Sequence, residues 1–293
     1  MKRKVLALAF LTVALAVYVL YDPNDYATLL AAKRVVVCGA STGIGEQLAY
    51  VYSTYGARLV ITARRESMLQ AVAAKCRQLG AASIDYVPLD LAESDSARIL
   101  VDFAQSSMGG IDVVVLNHII GYYAPWNAKS IAKLDFADKI LRVNTWSYMS
   151  IATHALSALE TSRGSLVVVS SFAGKVGAPF TEPYSASKHA LHGFFDSLRH
   201  DLYFQKSNIS ITLCVLGNID TETAMNRVGK VVTLEWLSAN RTAEAIVKGG
   251  ARREREIYYP VSLSFALYLH TFFPRLVDAI IHQVHDPSQF DKQ

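Results

Sequence analysis

Tyr184 and Lys188 stand one helical turn apart in the run Tyr-Ser-Ala-Ser-Lys. A separation of four places both side chains on one helix face. A free phenol titrates near pH ~10 and is a poor base at neutrality. A neighbouring ammonium favours the phenolate, so the pair can give or take a proton near working pH. Upstream, Ser171 follows the apolar β-branched run 165–170, where its hydroxyl can orient a substrate oxygen. This set of groups suits proton transfer to or from an oxygen on a reacting carbon.

A second motif precedes it. Gly39-Ala-Ser41-Thr42-Gly43-Ile44-Gly45 lies between an apolar run at 34–38 and a helical pattern at 46–55. Glycines there permit a tight turn and a close backbone approach to a pyrophosphate at the helix N-terminus. The spacing G-x-x-x-G-x-G departs from the more familiar G-x-G-x-x-G, and a plain strand-to-helix turn also favours glycine. The next apolar run ends Thr62-Ala63-Arg64-Arg65, with no acid between Leu59 and Arg65. An acid near this point binds a ribose 2′-hydroxyl, whereas arginine accommodates a 2′-phosphate, so NADP(H) is the expected cofactor. The competing reading is a solvated basic turn. Asp90, after the third run, either accepts from an adenine amino group or caps the following helix.

The elements that must carry these groups alternate. Apolar runs at 34–38, 58–62, 84–89, 111–116, 165–170, 209–216 and 256–259 are separated by helical patterns such as 66–79 and 94–106. Short continuous apolar strands between helices predict a parallel sheet covered on both faces, a three-layer α/β/α domain. No repeat or linker divides residues 33–260, which read as one domain. Ligands of such sheets bind at the carboxyl ends of the strands.

Gly39-x-x-x-Gly43-x-Gly45, Asn144, Ser171 and Tyr184-x-x-x-Lys188 together resemble the short-chain dehydrogenase/reductase family, over residues 33–260. Residues 116–119, 167–176, 213–217 and 219–224, with the apolar N-terminus, resemble its hydroxysteroid dehydrogenase branch. The resemblance implies a Rossmann-like doubly wound sheet and an NADP(H)-dependent interconversion of a secondary alcohol and a ketone on an apolar, steroid-like substrate. It makes Tyr184 the general acid/base and has Lys188 lower its pKa while binding the nicotinamide ribose. Ser171 would hydrogen-bond the reacting oxygen, and Asn144 would hold a water linking Lys188 to solvent. The implied cofactor site comprises Gly39, Ser41, Thr42, Gly43, Ile44, Gly45, Arg64, Arg65, Asp90 and Leu91. It continues through Asn117, His118, Ile119, Tyr184, Lys188, Ile219, Asp220, Thr221 and Thr223. No metal is needed, because hydride passes directly between nicotinamide and substrate carbon.

Departures narrow what can be carried over. Asn117-His118-Ile119 replaces the commoner Asn-Asn-Ala-Gly, a change the steroid branch shares, and Leu216-Gly217 replaces Pro-Gly. Thr42 stands where an enzyme of that branch has a lysine for the 2′-phosphate, which leaves that role to Arg64 with help from Arg65. Segments 121–126 and 177–183, on the substrate side, match the steroid branch poorly. A retinoid, lipid or xenobiotic carbonyl reductase on the same scaffold is the nearest alternative, and a non-catalytic nucleotide-binding scaffold is the second.

Composition agrees with an enzyme domain bearing apolar extensions. With 52% hydrophobic and 18% charged residues the chain is too apolar to be disordered. Of the net charge of +4, three units come from Lys2, Arg3 and Lys4, so no nucleic-acid partner is expected. Cys38, Cys76 and Cys214 are scattered and form neither a disulfide framework nor a zinc motif.

Residues 5–21 contain a single polar residue, Thr12, and are long enough as a helix to reach across a thin bilayer. Residues 1–22 therefore read as a single-span anchor or a cleaved signal peptide. Ala14-Leu15-Ala16 is a small-x-small site, but the apolar run continues past it, which favours the anchor. The anchor places the domain in the lumen of the endoplasmic reticulum; cleavage would make it secreted. Either would expose the sequons at Asn208 and Asn240 to glycosylation. Residues 261–293 form a helical extension whose stripe of Leu276, Val277, Ile280, Ile281 and Val284 packs on its own domain or across a homodimer interface. Its other reading is a lip dipping into the membrane beside the active site.

Overall fold

The computed structural model describes residues 24–229 and 231–289; the anchor or signal segment lies outside them. Among the described residues the chain runs α1 (Tyr26–Leu30), β1 (Arg34–Cys38), α2 (Gly43–Thr54), β2 (Arg58–Ala63), α3 (Glu66–Gln78), β3 (Ser83–Pro88), α4 (Ser96–Met108) and β4 (Val113–Leu116). It continues with α5 (Leu134–Leu141), α6 (Ser147–Ser162), β5 (Ser165–Val169), α7 (Glu182–Phe204), β6 (Ser210–Leu216), α8 (Glu222–Val228), α9 (Ala239–Ala251), β7 (Glu256–Tyr259), α10 (Ser262–Phe272) and α11 (Pro274–Gln283). The strands agree with the apolar runs to within two residues at each end.

All seven strands pair in parallel, in the order β3-β2-β1-β4-β5-β6-β7. Each crossover therefore lays a helix on one face of the sheet. Side chains alternate across a strand, and β1 shows what that requires here. Val35 and Val37 enter one core with residues of α2, α3 and α9; Val36 and Cys38 enter the other with residues of α4, α6 and α7. A strand buried on both faces needs apolar residues at every position, and Val-Val-Val-Cys supplies them. The fold is the expected Rossmann-like, three-layer α/β/α domain.

Chain order reverses between β1 and β4: the chain moves outward from β1 to β3, then returns to place β4 against the other side of β1. The loops after β1 and β4 diverge there and open a crevice at the carboxyl edge.

The tail is two helices rather than one continuous stripe, with Pro274 opening the second. None of the α10 residues is buried, and in α11 only Val277 is. Phe265, Tyr268, Phe272, Phe273, Leu276 and Ile280 are exposed, so the tail covers little of its own domain. Among the described residues no helix is long and apolar enough to cross a membrane.

Candidate active site

The crevice is a cleft of about 640 Å³. On one side lies the turn from β1 into α2. Gly39 and Gly43 have φ of +76° and +63°, which side-chain-bearing residues rarely adopt. Gly45 is required for packing: a Cβ there would stand 2.0 Å from the Gly39 carbonyl oxygen and 2.6 Å from Asn117 Nδ2. Thr42 caps α2 with extended backbone but no side-chain hydrogen bond, leaving the first-turn N–H groups for a bound anion. Arg65 reaches across this turn and donates to Ser41 Oγ and Thr42 Oγ1, each at 3.2 Å. Arg64 also lines the cleft, exposed at its rim. Two guanidinium groups thus stand at the end of β2, beside Thr42.

Further along the cleft are Asp90 and Leu91. Asp90 accepts the Ala92 N–H at 3.1 Å, closing its own turn. It does not cap the next helix, which begins at Ser96 behind Asp95. Ile219, Thr221 and Thr223 form the opposite wall. A Cβ on Gly43 would meet the Thr221 methyl at 3.0 Å, so the two walls nearly touch. Asp220 is engaged elsewhere, its Oδ1 accepting the Ala239 N–H at 2.7 Å, at the start of α9.

After β4, Asn117 ties the strand end to the glycine turn through the Gly39 carbonyl at 3.3 Å. His118 Nε2 lies 2.6 Å from Ser147 Oγ, which itself donates to the Val143 carbonyl at 2.6 Å. The hydroxyl proton is therefore committed, and the imidazole donates from Nε2. Asn144 sits in a π-helical turn, 142–146, leading into α6. Its side chain makes three hydrogen bonds: Oδ1 accepts Ile120 N–H at 2.7 Å, and Nδ2 donates to Ile120 O at 2.9 Å and Ser187 Oγ at 3.2 Å. The side-chain amide clamps the loop after β4, with both Nδ2 donors used and Oδ1 accepting once.

Pro183 lies in the first turn of α7, where its missing N–H costs nothing. Tyr184 follows on the cleft wall. Lys188, Leu191 and Phe195 continue the same inward face and are fully buried. Lys188 Nζ donates to the Val169 carbonyl at 2.8 Å, bridging α7 to the end of β5. Burial pushes its pKa down to about 7. Ser171 Oγ accepts the Ala173 N–H at 3.2 Å, leaving its proton free to donate. Burial raises the Tyr184 phenol above its ordinary value, and the Ser171 hydroxyl beside it pulls it part of the way back.

The structure thus brings Ser171, Tyr184 and Lys188 together beside the glycine turn. It also adds Phe136, Lys139 and Val143 to the lining, which no sequence motif singles out. Phe136 and Lys139 sit three apart on α5, a helix with no strand-like or glycine signal to mark it. Segments 121–126 and 177–183 meet: Ala124 N–H donates to Phe180 O at 3.0 Å, and the Tyr123 and Phe180 rings contact edge-on at 5.8 Å.

Beneath Ser171 a polar chain crosses the sheet. Ser170 Oγ lies 2.9 Å from His192 Nε2, and Lys175 pairs with Glu256 at 2.7 Å. Burial would raise the Glu256 carboxyl, but hydrogen bonds from Lys175 and Tyr258 hold it below the usual range. Desolvation pulls the imidazoles of His192 and His118 down to about 4 and about 3. An unfolded imidazole titrates near ~6.5. Folded-state stability is therefore complete above that pH and falls as pH drops toward the folded values, where the unfolded chain binds protons the folded one refuses. We expect thermal stability to fall between about pH 7 and pH 4.5 by on the order of 5 kcal/mol. His192→Gln should flatten part of the slope; a wild-type stability independent of pH over this range, by calorimetry, contradicts the assignment.

A seven-stranded parallel sheet with a glycine turn at its switch point and a Ser–Tyr–Lys group across the cleft defines a dinucleotide-dependent oxidoreductase. Residues 33–231 match the family described as short chain dehydrogenase, and the chain belongs to that family. Its curated relatives include hydroxysteroid 11-beta-dehydrogenase 1-like proteins. The Gallus gallus protein is 47% identical over 232 residues, covering 79% of each chain. The Xenopus tropicalis protein is 43% identical over 275 residues, covering 93% of this chain and 94% of the relative. Among solved structures, a short chain dehydrogenase/reductase from Burkholderia phymatum, in complex with NAD, superposes with TM-score 0.73 at 20% identity, covering 84% of this chain and 95% of that one. The alcohol dehydrogenase of Thermococcus sibiricus, complexed with 5-hydroxy-NADP, gives TM-score 0.67 at 21% identity, covering 76% of this chain and 94% of that one.

Proposed function

We propose that the chain is an NADP(H)-dependent hydroxysteroid dehydrogenase, interconverting a secondary alcohol and a ketone on a steroid-like substrate. The observation that carries this reading is Tyr184 on the cleft wall beside Ser171, one helical turn from buried Lys188. The names of the curated relatives support the steroid class. The cradle fits a dinucleotide: Gly45 admits no Cβ, the first turn of α2 has unpaired N–H groups, and Arg64 and Arg65 flank the turn.

When bound, NADPH supplies hydride to the substrate carbon. Ser171 Oγ holds the reacting oxygen by hydrogen bond. Tyr184 Oη gives that oxygen its proton in reduction and takes it back in oxidation. A charged Lys188 lowers the cost of the phenolate. Arg64 and Arg65 take the 2′-phosphate, with Arg65 held in place by Ser41 and Thr42.

Replacing both arginines by leucine should weaken NADPH binding by about 10–100-fold, because charge-assisted hydrogen bonds are lost. NADH binding should change little. Equal losses for both cofactors, by fluorescence titration, would refute the 2′-phosphate role.

The decisive experiment is a screen of the purified protein with NADPH and with NADP against cortisone, cortisol, retinal and small ketones. Turnover confined to retinal or to small carbonyls would favour the alternative reductase. No turnover on any of them would favour a nucleotide-binding scaffold. The proposal includes anchorage of residues 5–21 in the endoplasmic reticulum membrane with the domain in the lumen. It also includes homodimers or membrane contact through the exposed apolar faces of α10 and α11, and glycans at Asn208 and Asn240, both at the surface.

A further inference from the structure

Lys188 presents an electrostatic problem. Its side chain is 1% exposed, and among the described residues its ammonium makes one hydrogen bond, to the Val169 carbonyl. No carboxylate pairs with it there. The ionisable groups that face it are Tyr184 on its own helix, Tyr148 from α6 and His118 from the loop after β4; β5 contributes only the Val169 carbonyl. Cys38 on β1 and Tyr184 lie close enough to Tyr148 to bear on its phenol. The nearer of the two tyrosine rings is Tyr148, whose centroid is 5.1 Å from Nζ, against 5.9 Å for Tyr184.

Tyr148 is built to hold still. It is fully buried, its hydroxyl donates to the His118 carbonyl at 2.8 Å, and its ring packs on the His118 imidazole with centroids 4.5 Å apart. Burial raises its phenol well above the ordinary value, so the ring stays neutral. An aromatic face within about 6 Å attracts an ammonium, most strongly where water is excluded. The imidazole brings no negative charge to that role, because burial holds its pKa down to about 3 and leaves it neutral.

We propose that Tyr148 is a positioning residue whose immobilised ring face keeps the Lys188 ammonium charged, in the role a carboxylate would otherwise fill. A neutral amine at Lys188 could not lower the cost of the Tyr184 phenolate, so this ring sets the pH range in which Tyr184 exchanges its proton. The consequence for the reaction rests on the dehydrogenase reading above; the effect on the Lys188 charge does not.

The test replaces Tyr148 in the full chain by phenylalanine, then by mono- and trifluorinated phenylalanine. These changes keep the shape of the ring while draining its face of electron density. Two quantities are measured: the Lys188 pKa, by NMR of labelled lysine with Lys188→Arg to assign the signal, and the alkaline limb of the kcat–pH profile. Phenylalanine should leave the Lys188 pKa close to the wild-type value. Fluorination should lower it stepwise, by about one pH unit in all, and move the alkaline limb with it. An unchanged Lys188 pKa across the series overturns the proposal and leaves Tyr148 as packing. A protein that turns over no carbonyl but shows the stepwise NMR shift removes the dehydrogenase reading while upholding the ring–ammonium contact.

Discussion

Tyr184→Phe is expected to lower turnover by about 10²–10⁴-fold, the usual contribution of a positioned acid or base. NADPH affinity should stay within about threefold, a difference of well under 1 kcal/mol. The two effects separate because the substitution removes one hydroxyl from the cleft wall and leaves the glycine turn, the arginines and Lys188 in place. Ser171 keeps the Ala173 N–H that orients it. Parallel measurement of kcat and of NADPH binding by fluorescence checks the prediction. Full activity in the variant would rule out the acid/base role.

Gly45→Ala should abolish useful cofactor binding, by a different physical route. The added methyl carbon would lie 2.0 Å from a backbone oxygen and 2.6 Å from Asn117 Nδ2, which in turn ties β4 to the same turn. No side chain can swing aside to relieve a clash with Gly39 itself, so α2 or the turn must move. Overpacking of this kind costs about 1–3 kcal/mol, and the displaced turn no longer presents its N–H groups together. A drop in thermal midpoint with at least a tenfold loss of NADPH affinity is expected. Gly193→Ala is the control: it lies inside α7, nothing stands within 4 Å of where its new methyl would sit, and alanine is the better helix former. That variant should be as stable as the parent or slightly more so, with unchanged affinity.

The alternation of strands and helices was legible because each element carries a local period. β1 reads as Val-Val-Val-Cys because both of its faces are covered, and α7 reads as a helix because Tyr184, Lys188, Leu191 and Phe195 recur on one face. Less could be read where function rests on contacts between distant segments. Phe136 and Lys139 enter the cleft from α5, whose eight residues carry no motif. Asn144 was legible as a site residue, but the engagement of its side chain with the Ile120 peptide and Ser187 depends on how α6 docks beside α7. Asp90 was open as a ligand or a cap and Asp220 was expected at the cofactor; in the structure Asp90 closes its own turn on the cleft lining, without capping the next helix, and Asp220 holds the start of α9.

By itself, the sequence determined the α/β class, the glycine turn after the first strand, the arginine pair after the second and the one-turn spacing of Tyr184 and Lys188. Each of these is written in neighbouring residues, where bond geometry and helix or strand period leave few alternatives. The tertiary structure alone decided that β4 returns to the far side of β1, bringing residues 39–45 and 117–121 to one cleft. It also decided that Arg65 spans to Ser41 and Thr42, and that Lys188 lies in the core facing the Tyr148 ring with, among the described residues, no carboxylate beside it. Such contacts arise from packing two apolar layers onto one sheet, and no local period encodes which residues that packing makes neighbours.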